Sequence, residues 1–159
     1  MSKDCIELKL KGLPLCTDNQ LKYMKGNYTT KARLMRASIQ QALIPHRDAI
    51  KKFFTKERRE RVEKEGMAVS YTLYHRPEVF RNKAGLISMR KGDATNYIKG
   101  LNDFIFNKTS SCPNSVMIDD RFITCCTIIQ GNSEGVIIDR CLDKGMTYVI
   151  VEINLRSEE

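Results

Sequence analysis

The sequence is sparing with the residues that interrupt regular structure. It has 4 Pro and 9 Gly in 159 residues, too few for a collagen-like or wholly disordered chain. No run of 18 apolar residues occurs, so no membrane-spanning helix is expected. The first residues, MSKDCIELKLKG, carry charges where a signal peptide needs an apolar stretch, so a soluble cytoplasmic protein is expected. None of the six cysteines forms a C-x-x-C pair, and their spacings fit no zinc template. Cys125 and Cys126 sit in an apolar stretch and read as small buried hydrophobes, and all six read as free thiols in a reducing cytosol. Histidine is limited to His46 and His75, and neither lies in a nucleophile, zincin or P-loop motif. Hydrolytic chemistry in this chain would rest more naturally on carboxylates.

Positive charge is plentiful and unevenly placed. The chain carries 27 Lys+Arg against 19 Asp+Glu, a net charge of +8. Residues 20–65 hold 13 basic and 5 acidic residues, so this segment alone matches the excess of the whole chain. Lys22, Lys25, Lys31, Arg33 and Arg36 have little acid nearby and lie close to Tyr23 and Tyr28. Such a one-sided patch suits a polyphosphate partner whose counterions are released on binding. The stretch Lys56 to Lys64 mixes both signs and reads as a solvated helix face with a Glu57–Arg61 i,i+4 pair.

Hydropathy patterning predicts an alternating strand at Ile6–Leu10 and a polar loop over 15–30. A helix from Lys31 and a second over about 46–64 follow, divided by Pro45. A strand at 67–73 precedes an irregular basic connection over 75–92. A helix is expected over 93–106, then strands at Phe122–Gln130, Val136–Arg140 and Thr147–Leu155. The expected fold is α+β: one domain over 1–159, a mixed β-sheet with two or three packed helices.

The stretch from Asp93 to Asp120 carries the most chemistry. At about 100° per residue, Asp93, Asn96, Lys99 and Asp103 fall on one polar stripe, with Tyr97, Leu101, Phe104 and Ile105 on an apolar face. Asp119 and Asp120 stand together at the entrance to a strand, an arrangement of like charges that favours a nearby cation. If the two regions meet, their carboxylates suit Mg²⁺ or Mn²⁺, which prefer oxygen ligands. The spacing equally allows Asp93 as a helix N-cap and Asp119-Asp120 as a turn.

At these residues the chain resembles the RusA family of Holliday junction resolvases, which are phage-encoded or prophage-derived endonucleases. The family pattern D-x-D-N-x-x-K, a further acid and then D-D reads here as Asp93-Ala94-Thr95-Asn96-Tyr97-Ile98-Lys99, Asp103 and Asp119-Asp120. The N-terminal strand leading into Leu13-Pro14, then Asn19, Tyr23 and Tyr28-Thr29-Thr30 before a basic helix, is similar as well. The resemblance implies a homodimer that binds branched DNA, four-way junctions above all, and nicks two strands with Mg²⁺ or Mn²⁺ in a bacterial or phage-infected cell. By position, Asp93, Asp119 and Asp120 would be metal-site carboxylates, Lys99 the catalytic lysine, and Asn96 and Asp103 supporting groups. Arg90 and Lys91 would join Lys22, Lys25, Lys31 and Arg33 on DNA. No motif for a small-molecule cofactor is visible, and none is expected.

One departure stands out: Thr95 occupies the position of the second family carboxylate and supplies no negative charge. Either Asp103 or Asp119 completes the metal cage, or metal affinity is reduced, or the protein binds junctions without cutting them.

Overall fold

The computed structural model describes residues 4–22, 26–88, 91–134, 136 and 142–156. Four strands form one mixed sheet: β1 (Cys5–Leu13), β2 (Met67–His75), β3 (Ile123–Asn132) and β4 (Thr147–Leu155), in the order β1-β4-β2-β3. The β1/β4 and β4/β2 pairs are antiparallel, whereas β2 and β3 run parallel. The helices are α1 (Thr30–Leu43), α2 (Arg47–Phe53), α3 (Lys56–Glu65), the one-turn α4 (Pro77–Phe80) and α5 (Ile98–Ile105). The α+β expectation therefore holds. Of the expected strand Val136–Arg140, only Val136 lies within the described residues.

Strict alternation explains the strands. Ile6, Leu8 and Leu10 of β1, Val69, Tyr71 and Leu73 of β2, and Val149, Val151 and Ile153 of β4 are all buried. They share one face, because residues two apart in a strand point the same way and the register places them side by side. Onto that face pack Ala32, Met35, Ile39 and Leu43 of α1 and Leu101, Phe104 and Ile105 of α5. Edge strand β3 shows why Cys125 and Cys126 part company. Cys126 pairs with Val69 and turns toward the core half-buried, while Cys125 faces out and is exposed. Only one of the two expected buried cysteines is thus inward, because neighbours in a strand cannot share a face. The five described cysteines are all free thiols.

The single expected helix over 46–64 is two helices. Phe54 leaves helical geometry and Thr55 caps α3, its side chain accepting from the Arg58 N–H at 3.2 Å. Arg61 turns to Asp4, at 3.3 Å, and to the Arg156 carbonyl, at 2.9 and 2.7 Å. The expected Glu57–Arg61 pair is not formed; α3 is tied to the sheet ends instead.

At the C-terminus of α3, Gly66 has φ 78° and ψ −175°, a region essentially reserved for glycine. A Cβ there would lie 2.3 Å from Thr124 Cγ2 and 3.1 Å from the Phe122 carbonyl oxygen. Gly66→Ala is expected to destabilise the protein by about 1–3 kcal/mol, read as a lower urea midpoint at unchanged m-value. Among the described residues, no helix is long and apolar enough to cross a membrane.

The parallel β2/β3 pair decides where the acids go. The chain leaves β2 at His75 and must return to the opposite end of the sheet, where Ile123 pairs with Met67. The crossover therefore begins at one end of the sheet and finishes at the other, with α5 lying along it.

Candidate functional site

The crossover is pinned at its start by side chains from the strand ends. Gln130 Nε2 donates to the Gly92 carbonyl at 3.1 Å, and His75 Nε2 donates to Gln130 Oε1 at 2.5 Å. Thr147 Oγ1 lies 3.3 Å from His75 Nδ1, completing the partners of a ring that is 3% exposed. Burial holds the His75 pKa below its ordinary value, with Lys91 nearby adding to the effect against the Gln130 hydrogen bond. His75 is therefore a neutral structural tie. The Tyr97 hydroxyl donates to the Lys91 carbonyl.

Residues Ala94–Tyr97 form a 3-10 turn, and the α-helix proper begins only at Ile98. This breaks the expected polar stripe. Three residues per turn replace 3.6, and each residue advances about 2.0 Å instead of 1.5 Å. Asp93 stands at the head of that turn with no capping hydrogen bond from its side chain. Asp93, Thr95 and Asn96 are all exposed. Gly92 is fastened to Gln130, seven residues or about 23 Å of strand along β3 from Ile123, so Asp93 belongs to the opposite end of β3 from the Asp119-Asp120 turn. The structure does not bring Asp93 and Asp120 together.

It sets Asp103 and Asp120 within electrostatic reach of each other. Asp103, on the second turn of α5, is half-buried, as is Asp120 in the 3-10 turn that precedes β3. Burial raises the Asp103 pKa above the ordinary carboxylate range, the charge of Asp120 raises it further, and Lys99 and Lys22 counter both. Burial likewise raises Asp120, helped by the adjacent Asp119. Asp119 is exposed and caps the turn, accepting from the Arg121 N–H at 2.9 Å. It thus fulfils the turn reading while standing next to the pair.

Asp18 and Lys22 reach this site from the N-terminal loop. Asp18 Oδ1 accepts from the Lys99 N–H at 3.2 Å, and Gly100 N–H also bonds this carboxylate. An acid distant in sequence thus caps α5, serving the first-turn N–H groups that a local N-cap normally takes. Lys22 lies 5.1 Å from the centre of the Tyr28 ring, and Arg36 lies 5.6 Å from it. Tyr28 in turn packs on Phe104 at 5.4 Å.

Beneath the acids, the Tyr71 hydroxyl donates to Asn102 Oδ1 at 2.5 Å. Burial, together with the charges of Cys126, Asp120 and Asp103, pushes the Tyr71 pKa well above its ordinary value, so it remains a donor. Asp18, Tyr71 and Asn102 were not singled out from the sequence. Tyr71 was visible as the one hydroxyl on an otherwise apolar strand face, and Asn102 as the neighbour of Asp103.

Of the other expected DNA-binding residues, Lys25 and Arg90 lie outside the described residues. Lys91 is half-buried and donates to the Gly92 carbonyl at 3.1 Å. Lys31 is exposed at the start of α1 and borders a cleft of about 330 Å³ shared with His75 and Tyr97, away from the acid pair. Arg33 is exposed on the same helix.

Among the described residues, no three His, Cys, Asp or Glu side chains converge as a metal-binding group. Two carboxylates do suit a hard cation that keeps several waters and takes its remaining ligands from substrate phosphate. The raised pKa values also have a sign that can be tested. A carboxyl whose pKa rises on folding holds more protons in the native than in the unfolded chain between the two values. Its ionisation therefore costs stability above the native pKa, and the cost vanishes below the unfolded one. Asp103→Asn is expected to raise the melting temperature at neutral pH and to lose that advantage on acidification to about pH 4. Asp103 is partly exposed and screened, so the gain should not exceed the about 2–4 °C that 1 kcal/mol gives a domain of this size. Differential scanning calorimetry across pH measures it.

No known protein-family model matches the chain, and no curated protein matches it.

Proposed function

We propose that the protein is a divalent-metal-dependent, structure-selective endodeoxyribonuclease that resolves four-way DNA junctions, with Asp103 and Asp120 at its reacting centre. One observation carries this reading: two half-buried carboxylates, Asp103 on α5 and Asp120 in the turn before β3, lie within electrostatic reach of one another, with Lys99 and Lys22 acting on Asp103 and both carboxyl pKa values raised. A pair of acids kept partly out of water favours a bound cation, and the flanking lysines favour a phosphodiester. The resemblance in acid, amide and lysine spacing supports the same reading, as does the basic N-terminal half.

Asp103 and Asp120 would hold Mg²⁺ or Mn²⁺, which supplies an activated water and offsets charge on the scissile phosphate. Lys99 neutralises a non-bridging oxygen or the departing oxygen. Asp18 positions Lys99 by capping its helical turn, and the Tyr71–Asn102 bond fixes the wall behind Asp103. Asp119 caps the turn that presents Asp120. Two copies acting together, as the resemblance implies, would give paired nicks in the cytoplasm of a bacterial or phage-infected cell.

The test is a labelled four-way junction with linear duplex as control, incubated with Mg²⁺, Mn²⁺ or EDTA. Paired, metal-dependent nicks specific to the junction are expected. Thr95, where the family has a carboxylate, favours a second reading: a branched-DNA-binding protein without cleavage. Salt-sensitive junction binding that persists in EDTA with no nick under any metal would select it.

A further inference from the structure

A second cavity lies at the same end of the sheet as the acid pair, between α2–α3 and the loop that leads into Asp119-Asp120. It measures about 310 Å³ and is bordered by Arg47, Lys51 and Arg59 on the helices and by Asn114, Ser115 and Met117 on the loop. Arg47 and Lys51 are exposed and stand four residues apart on one face of α2. Neither enters an ion pair within 4.0 Å among the described residues. Among the described residues, Asp48 is the one acid on the cavity wall.

The floor is rigid. Arg59 donates to the carbonyls of Phe54, at 3.2 Å, and Met117, at 3.3 Å. Asn114 is held by Gln40 through two hydrogen bonds of 2.9 and 3.0 Å, and Ser115 donates to the Asn107 carbonyl. Met117 has φ 61°, so the backbone here adopts an uncommon left-handed shape to place its wall. A fixed concave wall faced by three guanidinium or ammonium groups suits a multivalent anion with defined spacing.

We infer that this cavity seats the phosphodiester backbone of the DNA strand that flanks the scissile bond. The inference rests on the nuclease reading and gives that site a register. Asp120 stands three positions after Met117, at most about 10 Å of extended chain, or about three nucleotides of rise along one strand. A strand whose scissile phosphate reaches Asp103 and Asp120 thus lays its neighbouring phosphates across Arg59, Lys51 and Arg47.

The experiment measures junction affinity by fluorescence anisotropy over a range of salt, and single-turnover nicking at saturating junction. It compares wild type, Arg47→Ala/Lys51→Ala and Asp48→Asn. Both substitutions lie on the exposed face of α2, and melting curves verify that the fold is kept. The double variant is expected to bind on the order of tenfold more weakly, with its log K against log salt slope shallower by about 2, one phosphate contact per lost cation. Its nicking rate at saturation stays at the wild-type value. Asp48→Asn, which removes the only anion on the wall, binds more tightly. If wild type binds and nicks but the double variant keeps its affinity and slope, the cavity is not a strand seat, while the nuclease reading stands. Nicking lost at saturation with affinity unchanged overturns the inference in the same way. A wild type that neither binds nor nicks junctions overturns the nuclease reading and this inference with it.

Discussion

Asp120→Asn is expected to lower metal-dependent junction nicking by about 10²–10³-fold, the loss typical of removing one preorganised electrostatic contact in a reacting centre. Asparagine keeps the shape of the side chain and one acceptor oxygen but carries no charge. Burial and Asp119 already make the Asp120 anion costly, so a cation is what this site accommodates best. Junction binding should survive, because deleting an anion from the surface proposed to receive phosphates does not weaken it. Asp103→Asn should behave alike in nicking, while gaining stability at neutral pH as argued above. Single-turnover nicking and anisotropy on the same preparations separate the two effects. Nicking at the wild-type rate in either variant would remove the pair from the reaction.

Replacing Lys99 by methionine is expected to cost about 10²-fold in nicking and to move the acid limb of the pH–rate profile upward. The first effect follows from losing the ammonium that the proposed mechanism sets against charge on the phosphate. The second follows from the surroundings of Asp103, where Lys99 is the foremost group opposing burial and Asp120. Without it the carboxyl keeps its proton to higher pH. Lys99 is exposed, so methionine should be tolerated by the fold, and the capping bond from its backbone N–H to Asp18 does not depend on the side chain. The rate loss alone would fit many roles. An upward-shifted acid limb accompanying it identifies Lys99 as the charge partner of Asp103, and an unmoved limb would deny that partnership.

What was legible in the sequence was local. Alternation placed β4 at Thr147–Leu155 and β3 to within a residue of its start, because one buried face per strand imposes a period of two. The basic helix after Thr29-Thr30 was readable from its 3.6-residue apolar spacing, with Thr29 capping it by accepting from the Ala32 N–H at 3.1 Å. Non-local features were not readable. A wheel drawn from Asp93 assumes one helix, yet Gly92 and Tyr97 are fastened by Gln130 and the Lys91 carbonyl, and the segment between tightens into a 3-10 turn. Nothing in the spacing announces that β2 and β3 are parallel, and that pairing alone separates Asp93 from Asp120. Asp18 read only as part of the expected polar loop over 15–30, because its capping target is 81 residues away. The grouping of the acid and lysine candidates thus belonged to the topology, which sets Asp93 apart from Asp120.

The most direct measurement places Asp93→Asn beside Asp120→Asn in one assay of junction nicking with Mg²⁺ and Mn²⁺. A reacting centre built on Asp103 and Asp120 predicts that Asp93→Asn nicks at the wild-type rate while Asp120→Asn is reduced by about 10²–10³-fold. Equal loss in both variants would contradict it, since it would require Asp93 in the same site as Asp120 and a crossover folded back against the parallel pairing of β2 and β3.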